Sequence, residues 1–414
     1  MFNGSNGGSD HDCLTRREFL LSSGALLALP ASIKLASAAE PSANGVLVCV
    51  FLRGAADGLH MTVPHGDKDY YAQRGELAVP RPGSDPEAAI DLDGFFGLNP
   101  AMSALLPVWE SGDLAIVHAT GLTSDSHSHF DAQNYMESGK PDDKSLTNGW
   151  VGRHLSSNNS ASDSPFRGIA IGGKIQKSLR GENSVSAIKD VSNYGIHVRG
   201  RNGDAFAASL QALYLGDQWL DNQGQLAFDS IDQLEAANPA QYSAENGASY
   251  PDSPFGANML QAAQLIKAGV GAEALCLDLG GWDTHADQAN RLAELLPDLS
   301  ASLAAFWQDL GERMNSVTIV VMSEFGRRVA ANGSGGTDHG HGNALYVIGK
   351  GINGGQVFAD WPGLSESQLS GPGDLAITTD YRTVLAEIVD KRLGNPAIDQ
   401  VFPDFTPPGY IGLV

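Results

Sequence analysis

The sequence predicts an α/β fold, a mostly parallel central sheet with helices on both faces. Three observations predict it. Six short apolar runs, Val46–Leu52, Leu114–His118, Gly168–Ile171, Ala274–Leu279, Val317–Met322 and Ala344–Ile348, are near-continuous rather than alternating. Strands covered on both faces read that way. Helical periodicities separate the runs, and strands alternating with helices define this class.

The elements follow in order. Pro100–Glu110 and Asn258–Ala268 carry helical patterns. The clearest helix spans Ala286 to Met314, with Leu292, Leu295, Leu296, Leu299, Leu303, Phe306 and Leu310 at three- and four-residue spacings that make a core-facing stripe. Pro297 is expected to kink or restart it, since proline removes a backbone donor. Tyr381–Leu393 closes the chain as an amphipathic helix. Residues 174–254 fit least well. They are helical around Ala205–Leu215 and polar around Asn238–Ser253, and read as an insertion beside the sheet. Ser156–Ser164 reads as a polar surface loop.

The N-terminus has its own logic. Thr15-Arg16-Arg17-Glu18-Phe19-Leu20 precedes an apolar stretch to Ile33 and then Ala36-Ser37-Ala38, the order of a removable export signal over residues 1–38. Paired arginines in this frame mark the twin-arginine route. The expectation is a periplasmic or secreted protein handled by that export machinery, with its folded domain over residues 39–414. Ser22, Ser23, Gly24 and Pro30 dilute the signal core, and no other run reaches the ~18 apolar residues of a spanning helix, so no permanent membrane span is expected.

The chain holds 26 basic and 48 acidic side chains, a net charge of -22. The signal contributes equally to both signs (Arg16, Arg17, Lys34 against Asp10, Asp12, Glu18), so the mature chain keeps the imbalance. Such a surface repels phosphate backbones and excludes nucleic acid as a partner. Cys13 leaves with the signal, whereas Cys49 and Cys276 lie inside apolar runs and read as buried free thiols.

Chemistry-bearing side chains gather where these runs end. Val46–Leu52 leads into Arg53-Gly54-Ala55-Ala56-Asp57-Gly58. Leu114–His118 leads into Thr123-Ser124-Asp125-Ser126-His127-Ser128-His129-Phe130. Ala274–Leu279 leads into Gly280-Gly281-Trp282-Asp283-Thr284-His285, whose Asp-x-His lets an oxygen and a nitrogen ligand reach one cation. Val317–Met322 leads into Glu324, and a glycine-rich loop then supplies Asp338, His339 and His341. Open α/β sheets place ligands at the carboxyl ends of their strands. Asp57, Asp283, His285, Glu324, Asp338, His339 and His341 are therefore the candidate metal ligands. Ser128 is the candidate nucleophile, because it lies nearest a helix start at Phe130, where free backbone N–H groups steady an anion. It sits between His127 and His129, either of which could take its proton or share a metal with it. Arg53 or Arg327 could hold an anion by paired hydrogen bonds. Asp125 and Asp131 read as helix-cap acids.

The twin-arginine start, Phe51–Leu59, Ser128-His129-Phe130-Asp131-Ala132-Gln133, Gly149-Trp150-Val151-Gly152-Arg153, Gly281–His285, Ser323-Glu324-Phe325-Gly326-Arg327 and Asp338-His339-Gly340 resemble the family catalogued as domain of unknown function 1501. The resemblance covers nearly the whole mature chain and is weakest over residues 174–254. That family is grouped with the alkaline-phosphatase-like superfamily of phosphatases, sulfatases and phosphomutases, and the resemblance implies that fold with a two-metal site. It implies Asp57 as the first-strand aspartate, a nucleophilic hydroxyl near Ser128, central ligands Asp283 and His285, and a late histidine at His341 or His339. Superfamily members usually carry Asp-His where this chain has Glu324-Phe325. Either Asp338 or His339 compensates, or the second metal is weak or absent. A Cys/Ser-x-Pro-x-Arg motif is missing around Ser126–Phe130, which counts against sulfate esters. The expected function is an exported hydrolase of small phosphoester-like anions, with sulfate esters the less favoured class, using one or two divalent cations (zinc, or calcium, magnesium or manganese). The alternative is a catalytically silent exported protein that keeps the fold and a cation for binding or assembly.

Overall fold

The computed structural model describes residues 45–158, 164–181, 185–196 and 203–414. The twin-arginine segment and most of the polar 156–164 loop lie outside the described residues. Among the described residues, nine strands form the main sheet. They are β1 (Val46–Arg53), β2 (Leu114–Gly121), β3 (Gly168–Ile171), β4 (Val185–Ile188), β5 (Ala274–Gly280), β6 (Val317–Ser323), β7 (Asn343–Ile348), β8 (Gln356–Phe358) and β9 (Thr379–Asp380). Across the sheet the order is β8-β2-β7-β6-β1-β5-β3-β4, with β9 also paired to β2. Every pairing is parallel except those of β7, which runs antiparallel to β2 and β6. All six anticipated strands are present, most one to three residues longer than the apolar run.

The longer helices are α1 (Lys68–Arg74), α2 (His129–Ser138), α3 (Trp150–Ser157), α4 (Gly203–Ala212), α5 (Trp219–Ala237), α6 (Pro254–Lys267), α7 (Gln288–Leu310) and α8 (Tyr381–Glu387). Alternation along β1 shows how the layers form. Val46, Val48, Val50 and Leu52 enter one core with Met259 and Ala262 of α6 and the Leu292–Leu310 stripe of α7. Leu47, Cys49 and Phe51 enter the opposite core with Ala132 of α2, Trp150 of α3 and Val384 of α8. A strand buried on both faces has no polar side to display, which is why its sequence reads as one apolar run. Cys49 and Cys276 are buried free thiols, opposite one another in the β1–β5 register.

Two expectations need correction. Helix α7 carries Pro297 inside a single continuous element rather than restarting there. The 174–254 segment is not only an insertion beside the sheet, because it supplies β4, paired in parallel to β3 at the sheet edge.

The topology builds one rim. Strands β1, β2, β5 and β6 end there, and antiparallel β7 begins there. Residues 337–342, which precede β7, thus reach the same rim as the loops that follow the parallel strands.

Candidate metal centre

Close backbone approach assembles the rim. Gly326 N donates to the His341 carbonyl and Gly340 N to the Gly326 carbonyl, each at 2.9 Å. A Cβ on Gly326 would stand 2.0 Å from the Gly342 oxygen, so only glycine permits this contact. A Cβ on Gly54, which has φ +116, would stand 2.6 Å from the Asp283 nitrogen. Arg327 ties the same loops together. Buried at 1% exposure, it donates to the carbonyls of Ala55, Thr337, Gly54 and Trp282 and to Asp283 Oδ1.

Three imidazoles and one carboxylate converge on this frame. His129, at the first turn of α2, donates from Nδ1 to Glu324 Oε1 at 2.8 Å. His285 faces Asp338 Oδ1 from Nδ1 at 3.2 Å. His339 donates from Nδ1 to the His127 carbonyl at 2.9 Å. Each Nδ1 proton therefore has an acceptor, which turns each Nε2 lone pair inward. His285 Nε2 and His339 Nε2 stand 2.9 Å apart, and both lie 3.2 Å from Asp283 Oδ1. His129 Nε2 is 3.5 Å from Asp283 Oδ2 and is buried with no hydrogen-bond partner. Ligand atoms of His129, Asp283 and His339 all lie within 4.8 Å of one another. Lone pairs and a carboxylate facing each other repel unless a shared proton or a cation sits among them. Metal-ligating histidines anchor the other ring nitrogen on a carboxylate or carbonyl, as all three do here. The donor set fits a divalent metal.

Protonation follows these contacts. The hydrogen bond to Glu324 raises the His129 pKa against the burial that lowers it. Burial pushes Asp283 upward, but the hydrogen bond from Arg327 and the charges of Arg327 and His129 hold it down at about 2. Burial also pushes Glu324 upward, and hydrogen bonds from His129 and Gln133 overcome it, so Glu324 stays below the usual carboxylate range. Burial lowers His339, which favours the neutral imidazole that a metal requires.

The sequence-derived candidates separate into different roles. The structure brings Asp283, His285 and His339 together, and His129 joins them as a fourth inward-facing group. Glu324 and Asp338 do not face the centre with them. Each holds an imidazole from behind, and Glu324 Oε1 also accepts from Gly54 N and Gln133 Nε2. Asp57 is not at the centre either. It is sealed at 1% exposure, receives Arg74 through both terminal nitrogens, and accepts from Gln288 Nε2 at 2.7 Å. Arg53 uses all five guanidinium N–H groups on Asp278, Glu137 and Gln133, which leaves none for an anion. Arg327 likewise acts as the staple described above. His341 lies apart from the His129 group, with His127 and Asp374. Ser128 is the N-cap residue of α2, with no side-chain cap hydrogen bond, and is exposed.

Fold and site thus define an α/β protein with a histidine-rich, metal-type centre on its strand-end rim. The chain belongs to the family described as protein of unknown function DUF1501, matched over residues 45–394. Among solved structures, the lipoteichoic acid synthase LtaP from Listeria monocytogenes overlaps 96% of this chain and 80% of its own at 7% identity, with a TM-score of 0.33. No curated protein matches the chain. Among the described residues, no helix is long and apolar enough to cross a membrane.

Proposed function

We propose that this protein is an exported metal-dependent hydrolase of phosphoester-like anions. The convergence of the His129, His285 and His339 Nε2 atoms on Asp283, each ring anchored at Nδ1, carries the reading. These four residues would hold the metal. A bound divalent cation supplies Lewis-acid charge to an ester oxygen and lowers the pKa of an attacking oxygen.

The chain's own groups do the rest. Glu324, Asp338 and the His127 carbonyl orient the three rings. The N-terminus of α2 offers free backbone N–H groups to an anion. Ser128 stands at that terminus beside His129, and its hydroxyl is not tied up as a cap, which supports it as the nucleophile. Export by the twin-arginine route belongs to the same proposal. Processing and export should fail when Arg16 and Arg17 are both replaced by Lys.

Asp57 favours a second reading. Its charge is balanced by Arg74, so the first-strand aspartate implied by the resemblance is not free to bind a metal, and Phe325 fills the place of the implied histidine. A silent metal-holding protein would look the same. Aryl phosphate mono- and diesters decide between the two. Wild-type turnover that disappears in Asp283→Asn supports the hydrolase, whereas a fully metal-loaded wild type that turns over none of them supports the silent reading.

A further inference from the structure

We propose a second, separately built centre for a zinc-type cation, formed by His127, His341 and Asp374. Two of these three residues, His127 and Asp374, lie outside the set that the family resemblance implies, and the site stands on its own contacts. His127 Nε2 and His341 Nδ1 each approach Asp374 Oδ2 at 3.1 Å. The ligand atoms of all three residues lie within 4.8 Å of one another. The two rings meet edge to face, with centroids 4.5 Å apart.

Three features say that these side chains await a cation rather than merely pack. First, the Asp374 side chain has 0% exposure, and its Oδ1 has no hydrogen-bond partner. A buried carboxylate needs compensation. Arg328 Nε pairs with that oxygen only at 3.6 Å, close enough for charge attraction but beyond hydrogen-bonding range, so Oδ1 keeps a free lone pair. Second, His341 Nε2 faces the Ser124 carbonyl at 3.1 Å. That bond places the proton on Nε2 and turns the Nδ1 lone pair toward Asp374, the anchoring found behind metal-bound histidines. Third, the three residues come from three separate loops, which a shared ion would cross-link. Two imidazoles and one carboxylate suit zinc and its neighbours better than calcium or magnesium, which prefer all-oxygen sites.

The two centres are interleaved. His127-Ser128-His129 and His339-Gly340-His341 each supply one imidazole to each centre. His339 of the first centre also donates to the carbonyl of His127 in the second. Phe325 packs against His129, His339 and His127, with ring centroids at 5.1, 5.0 and 6.2 Å.

A proton shared by His341 and Asp374 would compensate the same charge, and a zinc titration separates the two explanations. The full chain, stripped with chelator, is titrated with zinc chloride by calorimetry, and bound zinc is counted after dialysis by elemental mass spectrometry. The expected result is two zinc ions per wild-type chain, one in Asp374→Asn, one in His127→Gln, one in Asp283→Asn, and none in Asp283→Asn/Asp374→Asn. The proposal is overturned if wild type binds no more than one, or if Asp374→Asn and His127→Gln both keep two. Should Asp374→Asn misfold by circular dichroism, His127→Gln decides alone, because its ring is partly exposed. Failure of the hydrolase reading would show differently, as absent turnover with these zinc counts intact.

Discussion

Asp57 and Asp283 occupy equivalent positions, each in a glycine-containing loop just past the end of a central parallel strand. Their surroundings give them opposite roles. Asp57 is fully buried, and the guanidinium of Arg74, at the end of α1, closes over both its oxygens. Its pKa stays low because Arg74 and His60 outweigh the burial that pushes it up. Asp283 keeps 48% of its side chain exposed. Arg327 takes one of its oxygens, and three imidazoles crowd around both. A strand-end carboxylate can serve as a ligand only when its neighbours leave part of its charge and lone pairs unanswered. Asp57 is a structural ion pair, and Asp283 has the open electrostatics of a ligand.

The strongest way to break that contrast is to remove Arg74. Arg74→Ala leaves a buried, unpaired carboxylate and should destabilise the protein by about 3–5 kcal/mol in urea denaturation, with zinc binding by the refolded protein unchanged. Loss of zinc with little loss of stability would instead make Asp57 a ligand.

Acid tests a second contrast, between interior and rim imidazoles. Burial pushes His118 and His154 down to about 4 from an ordinary 6.5. Their folded-state pKa lies below the unfolded one, so the unfolded chain takes up protons first as pH falls. The stability from keeping each ring neutral is complete above pH 6.5 and is lost as pH falls toward 4, on the order of 3 kcal/mol for each ring. Denaturation of the chelator-treated protein at pH 7, 5.5 and 4 should show that decline. A flat profile would mean that neither ring is held neutral by burial.

Glu324→Gln sharpens the comparison at the rim. It keeps the shape behind His129 and removes the charge, so zinc affinity at the His129–Asp283 centre should fall about 10–100-fold in calorimetry. A larger fall would indicate direct ligation by Glu324. The smallest effect on stability belongs to Ser128→Ala. A helix cap is typically worth ~1 kcal/mol, but this hydroxyl makes no cap bond, so the melting curve should barely move. Loss of aryl phosphate turnover alongside that unchanged melt would support the nucleophile, and surviving turnover would exclude it.

Much of this was legible before folding. Val46–Arg53 and its central neighbours announce themselves because a strand covered on both faces cannot hide polar residues. The edge strands Val185–Ile188 and Gln356–Phe358 and the two-residue Thr379–Asp380 were not legible, since short or half-exposed strands lack that constraint. The rim cluster of Asp283, His285 and His339 was legible because acids and imidazoles collect in the loops where parallel strands end. Asp374, which the fold brings beside His127 and His341, drew no notice because Gly371-Pro372-Gly373-Asp374 reads as a turn. His127 was noticed only as a partner of Ser128, able to take its proton or share a metal with it.

The sequence by itself determined the α/β layering, the central strands and the loops that carry acids and imidazoles, because periodicity and turn chemistry act within a few residues. Tertiary structure alone decided which of those groups face one another, which stands behind an imidazole and which is neutralised. Arg74 meets Asp57 across 17 positions and Glu324 meets His129 across 195. Charge compensation depends on distance through space, and that distance is set only when antiparallel β7 brings residues 337–342 to the rim where the parallel strands end.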